Sequence, residues 1–123
     1  KNIEELPKHT LFKGILRRAV QIMKRHRDLL FYDNHNYEGK EPISIILTTL
    51  AASAYKDLVS QQSFRNELEV LLTVVENMTG YIETKVVNSK IEMWVTNPKN
   101  RHENFAEKWN VDSKRVEAFH YWH

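Results

Sequence analysis

The sequence predicts a mainly α protein, a compact bundle of about four to five helices with a short β-prone segment near residues 84–96. Three observations carry that reading. Only three Gly and three Pro occur in 123 residues, so little interrupts long helices. Apolar residues recur at three- and four-residue steps along 9–31. The stretch from Ile43 to Tyr55 is apolar on nearly all sides, as a central buried helix requires. Apolar residues make up 41% and charged residues 28%, which is globular and not disordered composition. The length suits one domain with a real core.

The first helix is expected over 9–31, with Phe12, Ile15, Leu16, Ala19, Val20, Met23 and Leu30 inward and Pro7 or Thr10 at its start. Asp33 to Lys40 is polar and turn-prone and reads as a loop. Pro42 then fits the first turn of a second helix at about 42–57, where its missing N–H costs nothing. A third helix is expected at about 60–80, capped near Ser60 and stopped by Gly80. Thr84–Val87 and Lys90–Val95 flank Asn88-Ser89 and suit either a small hairpin or extended crossing chain. Asn97-Pro98 breaks what precedes it. Glu103–Trp109 and Asp112–Trp122 read as short helices, the latter capped by Asp112 or Ser113.

The charge is uneven although the formal net charge is only +2. Lys8, Lys13, Arg17, Arg18, Lys24, Arg25 and Arg27 crowd one segment, against Asp28 alone. Such a stripe on a near-neutral chain points to a specific anion site more than to bulk nucleic-acid coating. There is no cysteine, so disulfides and thiolate metal sites are excluded. No apolar run approaches the ~18–20 residues that span a bilayer, so no membrane partner is expected. A cytoplasmic setting fits. The chain begins at Lys1 without Met and ends on Phe119-His120-Tyr121-Trp122-His123, so a domain of a longer protein is expected.

Arg17, Gln21, Lys24 and Asp28 fall on one helix face and could hold phosphate through charge-assisted hydrogen bonds. The commoner fate of such a face is solvation, with i,i+4 pairs worth ~0.2–0.5 kcal/mol each. Ser44, in the first turn of the second helix, could donate to an anion at that positive end, or merely cap or pack. Thr48, Thr49 and Ser53 read as hydroxyls bonding back to helix carbonyls. Trp94, Trp109, Trp122, Phe105 and Phe119 suit the core, while Tyr32 and Tyr37, in the loop, are freer to stack on a base. The six His form no ligand pattern, and His120 with His123 lack a third ligand. No Asp-x-Asp pair, Gly-rich phosphate loop or nucleophile elbow occurs.

Leu16-Arg17-Arg18-Ala19-Val20-Gln21-Ile22-Met23-Lys24-Arg25-His26-Arg27-Asp28, the run Lys40-Glu41-Pro42-Ile43-Ser44-Ile45-Ile46-Leu47-Thr48-Thr49-Leu50-Ala51-Ala52, and Asn97-Pro98 before Glu103–Trp109 stand in a telling order. Together they resemble the C-terminal helical half of bacterial cGAS/DncV-like nucleotidyltransferases (CD-NTases), which is related to the helical domain of oligoadenylate synthetases. The resemblance covers about residues 8–122. It implies a substrate-clamping lobe, residues 1–123, of an enzyme making cyclic or linear oligonucleotide second messengers in antiphage defence. It further implies ATP or GTP as substrate, with magnesium held by the carboxylates of a separate N-terminal catalytic domain. Lys24 and Ser44 match the positions that contact the donor triphosphate in that family. Arg17 and Gln21, on the face of Lys24, and Tyr32, in the loop beside that helix, are added as candidate substrate contacts by their position alone. The competing expectation is a non-catalytic helical module that binds RNA or a protein partner through the basic first helix.

Overall fold

The computed structural model describes residues 8–123, with side chains from Gly14 onward. Four α-helices form it: α1 (Lys8–Phe31), α2 (Ser44–Gln61), α3 (Glu67–Asn77) and α4 (Ser113–Trp122). Between α3 and α4 lie two antiparallel strand pairs, β1 (Glu83–Val87) with β2 (Lys90–Trp94), and β3 (Thr96–Asn97) with β4 (Asn100–Asn104). Single 3-10 turns occupy His35–Tyr37, Met78–Tyr81 and Glu107–Asn110. The mainly α class with a small β insert is the one the sequence predicts. Pro7 lies outside the described residues, and Thr10 falls inside α1 instead of opening it.

Several boundaries differ for identifiable reasons. Pro42 precedes α2 instead of joining its first turn, because Ile43 is extended at ψ 152 and its carbonyl accepts the first helical bonds, from Ile46 and Leu47. The helix runs past residue 57 to Gln61, since Lys56, Asp57 and Ser60 face outward while Leu58 stays buried. The third helix starts seven residues later than expected. Asn66 caps it by accepting from the Glu69 N–H at 2.9 Å, and the Glu69 carboxylate accepts from the Arg65 N–H. Gly80 sits within the 3-10 turn that continues α3 and does not stop it.

The hairpin forms, turning at Asn88 and Ser89, both at positive φ as a two-residue turn between right-twisted strands demands. The expected helix at Glu103–Trp109 does not. Residues 100–104 are strand, and only a 3-10 turn follows. Asn104 explains it. Its side-chain oxygen accepts from the N–H groups of Val95 and Ala106, and its amide donates to the Met93 carbonyl at 2.9 Å, bonds that tie it to β2 and β3.

The core is centred on α2. Leu47, Leu50, Ala51 and Ala54 are fully buried, and α2 packs on α1, α3 and the 3-10 turn after it. Helix α4, N-capped by Asp112 as expected, brings in Phe119, whose ring lies 5.1 Å from Trp109 and 5.8 Å from Trp122. The indole N–H of Trp122 donates to the Met23 carbonyl. Trp94 and Phe105, expected in the core, are only partly buried. Among the described residues, no helix is long and apolar enough to cross a membrane.

Candidate functional site

The basic face of α1 is divided by its partners. Val20 and Met23 point inward, which fixes the rotation of the helix and turns Arg17, Gln21 and Lys24 to one flank. These three, with Leu16 and Val20, line an open hollow of about 570 Å³ whose other wall is Thr48 of α2. Two of its neighbours are neutralised. Arg18 forms a two-pronged contact with the exposed Glu67 carboxylate of α3, which holds that carboxyl below its ordinary range. Arg27 donates to Asp28 at 3.0 Å. Among the described residues, Arg17 and Lys24 have no acidic partner. The hollow therefore has two uncompensated cations, an amide and a hydroxyl, which is the chemistry that binds a polyphosphate.

Ser44 is elsewhere. It is the first residue of α2, one turn before Thr48, and its hydroxyl accepts from the Arg27 guanidinium at 2.8 Å. The same guanidinium donates to the Pro42 carbonyl at 3.2 Å, so it pins the entry of α2 onto α1. Ser44 thus shares a smaller hollow with Arg27, Asp28 and Arg115, and does not line the hollow of Lys24. Asp28, on the same helical face as Lys24 by spacing, belongs to this second hollow. Arg27 was not singled out by the sequence. The signal was available: it stands four residues after Met23 and seven after Val20, an inner position where an apolar residue is expected.

Tyr32 stands 83% exposed just past α1 and does not line the hollow of Lys24. Tyr37 is half-buried, with its ring 6.1 Å from Phe31 and 5.4 Å from Tyr121, so it helps close the end of the bundle. Thr48, Thr49 and Ser53 make no side-chain bond back to a helix carbonyl, unlike Thr73, whose hydroxyl donates to Glu69. They leave α2 with a row of hydroxyls that make no side-chain hydrogen bond among the described residues. Among the described residues, no group of three His, Asp or Glu side chains is placed to hold a metal ion.

No family model matches the chain. Over 107 residues, 87% of its length, it is 38% identical to a protein named c-di-GMP synthase from Roseivirga ehrenbergii. The aligned stretch is 24% of that relative, so the chain spans about a quarter of the length of the curated protein it matches.

Proposed function

We propose that this chain is the helical lobe of a cytoplasmic nucleotidyltransferase that makes oligonucleotide second messengers in antiphage defence, and that it clamps the donor triphosphate. The likeness to a c-di-GMP synthase supports a cyclic dinucleotide as the product. The observation that carries the clamp is the pair Arg17 and Lys24, without an acidic partner among the described residues, in one hollow with the Thr48 hydroxyl opposite. Phosphoryl transfer needs little covalent help and depends on positioning and on charge stabilisation. Lys24 supplies a point charge and Arg17 a planar fork to phosphate oxygens, with Gln21 donating between them. Ser44, oriented by Arg27 at the positive end of α2, offers its own proton to a phosphate that reaches the helix start. Magnesium, which the resemblance implies, would be held by carboxylates of the separate catalytic domain. Tyr32, exposed at the end of α1, remains a stacking surface for a base.

Titration of the chain with inorganic tripolyphosphate, followed by amide shifts, tests the clamp. The shifts map to α1 around residues 17–24 and to Thr48, and Lys24→Ala weakens binding by about tenfold, the loss of one charge-assisted hydrogen bond. In the longer enzyme the same substitution lowers nucleotide incorporation while leaving the melting temperature unchanged. Undiminished turnover removes Lys24 from the clamp. Tighter binding to RNA than to nucleotides favours the module reading instead, although neutralisation of Arg18 and Arg27 leaves little continuous basic stripe for it.

A further inference from the structure

The outer face of α2 is small and polar, with Ser44, Thr48, Thr49, Ala52 and Ser53 along it. Thr48 lines the Lys24 hollow, and Thr49 and Ser53 line another, of about 250 Å³, on the opposite flank. The far wall of this Thr49 hollow is Glu83 at the start of β1, Thr96 of β3, and Arg101 of β4, over a floor of Leu50 and Val95.

Two features single it out. Thr49 is only 9% exposed as a residue, but its hydroxyl is solvent-accessible, lines the hollow and makes no hydrogen bond among the described residues. A helical Thr readily bonds to the carbonyl four residues back, and Thr49 does not, so its hydroxyl can meet a group in the hollow. Glu83, in turn, is fixed: the Thr96 hydroxyl donates to its Oε1 at 2.7 Å, and a carboxylate has acceptor sites to spare. Arg101 forms no ion pair among the described residues, lines the hollow and is exposed. The hollow is smaller than the ~300–1,000 Å³ of drug-sized sites, which suits a single planar ring system.

A carboxylate held beside hydroxyls on an apolar floor discriminates between purines. Guanine presents two adjacent N–H donors, N1 and N2, which a carboxylate accepts together, and an O6 acceptor for a hydroxyl or guanidinium. Adenine turns a bare N1 lone pair toward the same oxygens. We propose that this hollow takes the guanine ring of a nucleotide whose phosphates lie across α2 in the Lys24 hollow, with Glu83 as the specificity-determining acceptor. The placement of the phosphates rests on the clamp reading above. The base preference does not, since it follows from the hollow alone.

Amide-shift titrations of the chain with GMP, IMP, AMP and inorganic tripolyphosphate separate the two. GMP shifts Thr49, Ser53 and Thr96 and binds about tenfold or more tighter than AMP, the discrimination of one bidentate base contact. IMP, lacking the N2 amino group, falls between. Glu83→Gln, nearly isosteric, brings GMP down to the level of AMP and leaves tripolyphosphate binding unchanged. Thr49→Val weakens GMP severalfold without touching the carboxylate. Equal or absent binding of GMP and AMP overturns the guanine pocket, as does a GMP preference that survives Glu83→Gln, whatever tripolyphosphate does. Loss of the tripolyphosphate effect alone overturns the clamp and leaves the pocket to be judged by the GMP arm.

Discussion

Asp112 concentrates three jobs in one carboxylate. It accepts from Lys40, pairs with Arg115 at 3.3 Å, and caps α4 through the Lys114 N–H. The hydrogen bond from Lys40 is the main cause that holds its carboxyl below the ordinary value, with the Arg115 charge adding to it. A carboxyl lowered in the folded state stabilises fully above its unfolded value and loses that contribution as pH falls through the folded one. Stability should therefore drop between about pH 5 and pH 2. Glu67, lowered by its hydrogen bond from Arg18, contributes with the same sign, so the comparison that isolates Asp112 is with Asp112→Asn. Asparagine keeps the cap acceptor and discards the charge. Urea midpoints across that window fall less steeply in the variant than in the parent, and parallel curves would mean that Lys40 contributes nothing through Asp112. Lys24 differs in kind, for its charge answers to no carboxylate in the described chain. Spacing could place Lys24 on a face, but which cations of that face are neutralised depends on Glu67, 49 residues from Arg18, and no local pattern reveals that.

At the level of elements, the β1–β2 hairpin offers a clean test because its turn is strained at a known residue. Ser89 adopts φ 66, a conformation that costs a residue with a side chain ~1–2 kcal/mol, while Gly there gives back ~0.5–1 in unfolded-chain entropy. Ser89→Gly should stabilise the chain by roughly 0.5 kcal/mol, read as a small rise in melting temperature, and a fall would mean that the turn is not of this type. The turn was visible in Asn88-Ser89, as was α2 in its unbroken apolar run and α4 in its Asp cap. The start of α3 was obscured because Phe64 continues the apolar period of the helix while standing outside it, and Asn66 alone marks the true boundary. The segment 103–109 was obscured for the opposite reason. Phe105 and Trp109 stand at helical spacing, but Asn104 spends its hydrogen bonds on β2 and β3 and holds the chain extended. Arg27 was obscured by its type, since a guanidinium on an inner stripe reads as surface until its acceptors, Pro42 and Ser44, are seen.

Across the whole molecule, α2 is the beam on which the two hollows hang. Its inner arc of Leu47, Leu50, Ala51 and Ala54 is fully buried, and its outer face carries Thr48 toward Lys24 and Thr49 toward Glu83. The rotation of one helix thus sets both walls at once. That coupling predicts opposite behaviour for neighbouring apolar residues on the same helix. Leu47→Ala removes buried methyl groups facing the core and should cost about 2–5 kcal/mol. Because α2 can then shift against α1, it should also weaken tripolyphosphate and GMP binding together, in proportion. Ile45 is 43% exposed on the outer face, so Ile45→Ala should change stability by no more than ~0.5 kcal/mol. Any effect of Ile45→Ala on binding would then report contact with the ligand itself. Urea denaturation of both variants, paired with the two titrations, makes the distinction. If Leu47→Ala is strongly destabilised yet retains both affinities at temperatures where it remains folded, the hollows do not depend on the seating of α2, and each must be held by its own flank.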